Sequence, residues 1–582
     1  MNPSSSPSGT RDDDTWDAIV IGSGCAGLTA ALTARHHGLS RILVLEKTDR
    51  VGGSTAVSGG AMWLPGHHLS VEAGQEDSLE AVRGYLDATV GDASSPVLRE
   101  AFLRAAPEAL RFMTTHTRLQ VAMRVHSPDY FPDVPGARMG CRAVDTLPFD
   151  GRELGRAHFA ALRRPLQEFL VLGGMMVSIT DVRHLLAVTR SFASWRYGMA
   201  LVLRYAADRL RGYARGTRLL LGNALAARLY ASALDRGIPI WRETPALALL
   251  RDAASGRVDG VRVRQQGRER VLRARHGVLV ATGGFPWNDV LRARYYRQPP
   301  YLGHSMVPAG ATGDGIALGE GVGAVLGDGH HDAALWAPVS VRRRPDGSRQ
   351  LYPHLVWDRA KPGLIAIDGQ GRRFVDEATS YHEFVRALYR LHEPPGEGVA
   401  HLVCDADFIE RWGLGLAMPG GRPRRHLIRE GYLFEAPSVA ALAAQLGVDP
   451  ATLEQTVARF NQHAEHGEDP DFGKGCNAYD RNLGDAEHRP NPCVGPLRRA
   501  PFYAVRVYPA DVGTVLGLRT DGHARALDAQ GRCIEGLYVA GNDMHSIAGG
   551  EYPAPGIALG PALTFGWLAG RHLAGQPFEV AG

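Results

Sequence analysis

The sequence predicts an α/β protein: a Rossmann-like domain, discontinuous along the chain, with an α+β domain inserted into it. Three observations carry the expectation. A strand pattern runs directly into a glycine-rich turn and a helix within residues 16–38. Two more apolar strands end in glycines near residues 283 and 541. The stretch between these last two breaks into short mixed segments with Pro and Gly.

The 582 residues exceed one ordinary domain, and 45% hydrophobic with 22% charged residues is the composition of a folded globular protein. Lys and Arg number 65 against 61 Asp and Glu, a balance that excludes nucleic-acid binding through overall charge. Cys25, Cys141, Cys404, Cys476, Cys493 and Cys533 form no CxxC pair, so neither a disulfide framework nor a zinc site is expected. Residues 1–15 are polar and acidic with no apolar centre, which reads as a disordered lead rather than an export signal. No run reaches the roughly 18 apolar residues of a membrane span, so a cytoplasmic protein is expected.

Residues 16–22, WDAIVIG, have the β-branched composition of a buried parallel strand. The following GSGCAGLTAALTARHHG places Gly22, Gly24 and Gly27 in GxGxxG, with Ala26 inside the turn. Gly22 permits the turn, Gly24 lets backbone approach a pyrophosphate, and Gly27 lets helix and strand pack closely. The second strand, RILVLEK, ends in Glu46 and Lys47; Glu46 stands 22 residues after Gly24, where a carboxylate accepts ribose hydroxyls. A lone GxGxxG arises by chance in a chain of 70 glycines, but strand, helix and acid together make the dinucleotide reading specific. VGGSTAVSGG follows at 51–60, with Gly53, Ser54, Thr55, Ser58, Gly59 and Gly60 suited to a backbone threading past a tightly held cofactor, which favours FAD over NAD.

HGVLVATGGF brings Ala281, Thr282 and Gly283 back to this site, GATGDG adds Asp314, and GLYVAGND adds Gly541 and Asn542. A last helix beginning near Ala558 or Leu559 would set its positive end against the flavin N1 and C2 carbonyl. The layout expected is a lead over 1–15, FAD-binding domain over 16–325, substrate domain over 326–510, and FAD-binding domain again over 511–582. Within the first part, residues 165–218 read as a basic amphipathic helical excursion, with arginines at 190, 196, 204, 209, 211, 215 and 218. That pattern suits contact with anionic lipid on the inner face of the membrane, packing on the FAD domain, or an oligomer contact.

The motifs DAIVIGSGCAGLTAA, VGGSTAVSGGAMWLP, GATGDG (Gly310–Gly315), GRRFVDEATSY (Gly371–Tyr381) and GEYPAPGIALGPALTFG (Gly550–Gly566) resemble those of the FAD-dependent 3-ketosteroid dehydrogenases, within the fumarate reductase and succinate dehydrogenase flavoprotein group. The resemblance runs over most of the chain. Where the fumarate reductases carry HTMGG and RLGGN segments, this chain reads DVGTVLG (Asp511–Gly517) and EYPAPGI (Glu551–Ile557), so the clamp for a dicarboxylate is absent. Two carboxylates would be poorly paired there, which is costly in a desolvated site, and an apolar ketone suits it better.

The resemblance implies α,β-dehydrogenation of a 3-oxosteroid at C1 and C2, or of a smaller cyclic ketone such as a cyclohexanone, with a quinone or another acceptor collecting the electrons. It assigns Tyr552 and the Gly556 amide to the substrate carbonyl, Tyr381 to the general base and Tyr130 to the tyrosine that makes that base stronger. Taken singly, each tyrosine also reads as an ordinary half-buried aromatic. Three other features have mainly structural readings: His545 beside the flavin segment, the His330, His331 and Asp332 run, and Trp63 with Trp336 as pocket wall or core. No metal is assigned.

Overall fold

The computed structural model describes residues 14–297, 303–391 and 400–580. The expected lead lies outside them except for Asp14 and Thr15, and Thr15 already opens the first strand.

The leading sheet is built on Thr15–Ile21. Ile42–Leu45 lies parallel on one side of it, with Ile240–Trp241 beyond, and the end of Arg268–Val280 lies parallel on the other. The last strand, Cys533–Val539, adds in parallel to that same end, pairing Val278 with Leu537 and Val280 with Val539. Chain from positions 15 and 539 therefore shares one sheet, which is the discontinuity expected from the motifs. The front half of Arg268–Val280 turns instead into an antiparallel meander with Val258–Gln265 and Ala246–Arg251.

The helix Cys25–His36 is almost wholly buried because a second helix, Leu559–Leu573, crosses it. A Cβ on Gly566 would stand 2.5 Å from the Ala26 carbonyl oxygen, and one on Gly570 would stand 2.6 Å from that of Ala30. Small residues on both helices let the backbones touch.

A second, antiparallel sheet follows the order Arg349–Pro353, Ala334–Arg343, Phe502–Thr514, Ala400–Cys404 and Leu364–Ile367, with Leu433–Ala436 also on the long strand. The expected boundary at 510/511 falls inside Phe502–Thr514, which still pairs Thr514 with Ala334. A bulge at Val512 bends the ladder there without ending it, so the change of sheet comes only after Thr514. A third sheet, Ala61–Trp63, Ala143–Thr146 and Val121–Met123, lies beside the last helix.

The 165–218 excursion folds as two helices, Ile179–Leu186 and Phe192–Leu210, which pack on each other. The longer one reverses the usual surface pattern: it buries Ser194, Gly198 and Asp208 and exposes Phe192, Trp195, Leu203 and Leu210. The run of seven arginines is not one surface stripe. Arg215 is buried and bonds Asn223, while Arg218 pairs with Asp181 at 2.7 Å. Their turn inward follows from buried acceptors that no spacing in the sequence announces. Among the described residues no helix is long and apolar enough to cross a membrane.

Candidate active site

One cavity runs along the ends of the parallel strands, lined by Gly22, Gly24, Glu46, Lys47, Gly53, Ser54, Ala281, Thr282, Gly283 and Asp314. Gly22, at φ +117°, lies so near the neighbouring strand that a Cβ would stand 2.0 Å from the Ala281 carbonyl oxygen. Gly27 fills its expected packing role, with a Cβ there 2.1 Å from the Gly22 oxygen. Gly24 instead opens toward the cavity, where a Cβ would meet only the Thr55 hydroxyl, at 3.6 Å. Glu46 is held by the Ser23 hydroxyl and by the amide and hydroxyl of Thr48 at 2.9 and 2.7 Å. Three donors fix the carboxylate and leave acceptor capacity for a ribose. Lys47 bonds Thr312 at 2.6 Å and Asp314 at 2.7 Å, tying the end of the second strand to the start of the helix Asp314–Glu320.

Several expected cofactor residues serve the backbone around this cavity. Thr55 accepts the Cys25 amide at 2.9 Å and so caps the first helix. The Ser58 hydroxyl donates to the Thr55 carbonyl and accepts the Gly60 amide, Gly60 packs on Leu221 and Gly222, and Gly59 is exposed. Ala26 lies under Gly541 and Gly566.

A second cavity is lined by Gly541, Asn542 and Ala558, with Thr514, His545 and Phe565. Ala558 caps the helix that starts at Leu559 and offers no side-chain bond to it, so the positive helix end stays open to an electron-rich group. His545 lines this cavity, but burial holds its pKa down to about 4, so the ring is neutral. The residue between the two cavities that sequence reasoning missed is Asp543. Its buried carboxylate accepts the amides of Thr282, Gly283 and Gly284 and the Thr282 hydroxyl, clasping the glycine turn that lines the first cavity. Strand-end backbone, an oriented carboxylate and an uncapped helix together fit an FAD.

Beyond the second cavity three predicted tyrosines meet. The Tyr130 and Tyr381 hydroxyls lie 3.0 Å apart. The Tyr552 ring stacks on Tyr130 at 5.2 Å and meets Tyr381 edge-on at 5.0 Å. Tyr381 is the first residue of the helix Tyr381–Arg390, capped by Ser380, so its phenol stands at the positive helix end. Tyr130 is tied to the other partner by its own backbone, the amide donating to the Pro553 carbonyl at 2.8 Å.

Gly556 adopts φ +93°, and a Cβ there would stand 2.7 Å from the Ala61 carbonyl and the Trp63 nitrogen. Among the described residues no acceptor takes its amide. Burial raises the Tyr130 and Tyr381 phenols well above the usual value. Burial raises the Tyr552 phenol too, and the Arg124 guanidinium offsets part of the rise at Tyr130 and Tyr552. A fourth tyrosine, Tyr479, packs 4.8 Å from Tyr130, and its buried hydroxyl has no partner among the described residues. Neither Arg124 nor Tyr479 sits in a recognisable motif.

The remaining candidates are accounted for by packing and ion pairs. Trp63 and Trp336 are fully buried core. His331 bonds Glu551 at 2.6 Å, and Asp332 pairs with Arg297 and Arg386. His382, Glu383 and Glu551 approach within 4.8 Å of one another, yet Arg386 already pairs with both carboxylates, at 2.9 and 2.7 Å. All six cysteines are free.

A parallel sheet with a glycine cradle, joined to a buried cluster of phenols, defines an FAD-dependent oxidoreductase. The FAD binding domain family matches residues 17–559. Over 562 residues the chain is 37% identical to a 4-oxocyclohex-2-ene-1-carboxylate 5-dehydrogenase of Sinomonas cyclohexanicum, covering 96% of this chain and 93% of that one. Over 578 residues it is 35% identical to a 3-oxosteroid 1-dehydrogenase of Mycobacterium tuberculosis, covering 96% and 98%. The structure of 3-ketosteroid delta1-dehydrogenase from Sterolibacterium denitrificans, in complex with 1,4-androstadiene-3,17-dione, superposes with a TM-score of 0.88 at 35% identity, covering 97% of this chain and all of that one. The chain belongs to the FAD binding domain family and, within it, to the branch that holds the ketosteroid dehydrogenases.

Proposed function

We propose that the protein desaturates the carbon–carbon bond beside a ring ketone, with a 3-oxosteroid at C1 and C2 as the first reading. The observation that carries it is the Tyr130–Tyr381 hydroxyl contact beside Tyr552 and an unengaged Gly556 amide. The Tyr552 hydroxyl and the Gly556 amide donate to the ketone oxygen, where negative charge grows as the α proton leaves. Tyr381 takes that proton, and Tyr130 shares its hydrogen bond and spreads the phenolate charge. FAD, when bound, supplies the hydride acceptor at N5.

The second reading is a smaller cyclic ketone, since the four groups address only the ketone edge; the 37% identical relative favours it. Anaerobic mixing of the FAD-loaded protein with 4-androstene-3,17-dione and with a cyclohexanone tests both. Bleaching of the flavin by either supports desaturation; bleaching by neither overturns it.

A quinone or another carrier closes the cycle. The helix Phe192–Leu210 rests on an anionic membrane surface, a reading supported by exposed Phe192, Trp195, Leu203 and Leu210 beside exposed Arg190, Arg196, Arg209 and Arg211. Flotation with anionic but not neutral liposomes, at low salt, is the expected result; no flotation with either removes the membrane from the account.

A further inference from the structure

The third sheet carries a cation toward the ketone site. Its register sets Ala61 opposite Asp145 and Asp145 opposite Ala122, so these side chains share one face, and Arg124, two residues after Ala122, shares it too. The Arg124 Nε bonds the Asp145 carboxylate at 2.7 Å. Its guanidinium thus leans back from the edge strand over the middle strand, one strand spacing from Ala61. The other side of the Ala61–Trp63 strand is bordered by Gly556, whose carbonyl accepts the Trp63 amide at 3.2 Å. The Trp63 indole, on the Ala61 face, bonds Asp129, the neighbour of Tyr130. The ketone-binding amide, the tyrosine pair and the guanidinium are therefore gathered on one small sheet.

Only one edge of Arg124 is occupied. Among the described residues its two Nη groups have no hydrogen-bond partner, and the side chain keeps 29% of its exposure, enough for a ligand to reach. A guanidinium with a free pair of amino groups matches the two oxygens of a carboxylate. A neutral polycyclic ketone offers nothing to that fork. Its charge is felt at the phenols of Tyr130 and Tyr552, in keeping with the placement set by the sheet register.

We infer that Arg124 is a specificity-determining residue that binds the carboxylate of an anionic ring ketone, with the acid group across the ring from the carbonyl held by Tyr552 and Gly556. This rests on the ring-ketone reading above and narrows its substrate class. Arg124 touches the substituent and not the reacting carbons; its charge acts on the phenols whichever ketone is bound, so the comparison between ketones isolates its part in specificity.

The test compares kcat/KM for 4-oxocyclohexanecarboxylate and for its methyl ester, in the FAD-loaded wild type and in Arg124→Gln. The wild type is expected to prefer the acid. The acid-to-ester ratio is expected to fall about 10- to 100-fold in the variant, the range for loss of charge-assisted hydrogen bonds. Arg124→Lys, which keeps the charge without the planar fork, is expected to lie between and serves if the Gln variant fails to fold. A wild type that prefers the ester, or a ratio unmoved by either substitution, overturns the assignment while leaving ketone desaturation in place. A wild type that desaturates neither compound nor 4-androstene-3,17-dione overturns the ring-ketone reading itself.

Discussion

The Tyr130 hydroxyl lies 3.0 Å from the Tyr381 hydroxyl although the two residues are 251 positions apart. Tyr381 stands at a helix start in the second unit of the chain, and Tyr130 sits in a loop fastened to the segment that ends in Gly556. A hydroxyl pair assembled from separate elements in this way can be dissected one hydroxyl at a time.

Tyr381→Phe removes the proposed base and keeps the ring packing. Turnover of a ring ketone is expected to fall by roughly 10²- to 10⁴-fold, the usual worth of a general base, with FAD content unchanged. Steady-state rates beside the flavin absorbance decide it: a fully active yellow variant removes Tyr381 from the mechanism.

The pH profile should report phenols. Burial raises Tyr381 and Tyr130 above the ordinary value, so the base form grows only as pH rises and kcat should climb into the alkaline range. Tyr130→Phe deletes the hydrogen bond that disperses the phenolate charge, so the rising limb should move to higher pH and kcat at neutral pH should drop. A limb that stays in place shows that Tyr130 does not set the basicity.

Gly556→Ala places a methyl group 2.7 Å from the Ala61 carbonyl at a backbone angle that L-residues avoid. The amide must move, so loss of one carbonyl donor is expected, on the order of 10² in kcat. FAD binding measured by flavin fluorescence separates this from collapse of the cofactor site.

Asp543→Asn leaves one carboxylate-like oxygen where two serve the amides of residues 282–284. Roughly tenfold or greater weakening of FAD binding is expected from an unsatisfied buried donor, read by titrating the apoprotein. Unchanged affinity means the turn holds its shape without the clasp.

Asp376 bears on stability rather than catalysis. Burial and the neighbouring Asp480 carboxylate raise its pKa to about 8. An exposed Asp in the unfolded chain titrates near about 4. Between these values the folded protein keeps a proton that the unfolded chain releases. This contribution is full below about pH 4 and drains away as pH rises through 8. Asp376→Asn should therefore flatten the decline of Tm from mildly acidic to mildly alkaline pH, as thermal melts at several pH values will show.

The adenosine end was legible because its parts are local: the turn from Gly22 to Gly27 and Glu46 lie within 25 positions, and one strand–helix–strand unit carries all of them. The grouping of Tyr381 with Tyr552 and Gly556 as a candidate site was legible through family motifs alone. Asp543 was overlooked inside a quoted motif, because its role depends on amides 259 to 261 positions away. Arg124 and Tyr479 left no trace, since strand register and ring stacking across the fold set their value. The Phe192–Leu210 helix was foreseen as basic and amphipathic, but its apolar side chains face outward around a seam of Ser194, Gly198 and Asp208. Periodicity identifies faces and does not say which one is covered.

The crossing of Gly566 and Gly570 over Ala26 and Ala30 sets an order of events in the cell. The helix Cys25–His36 is made well before Leu559–Leu573, the helix that covers it. Until that late segment emerges, the early helix has an uncovered apolar flank and one wall of the flavin cavity does not exist. A nascent chain stalled before residue 559 therefore lacks this cover, and should depend on chaperones rather than on FAD for protection.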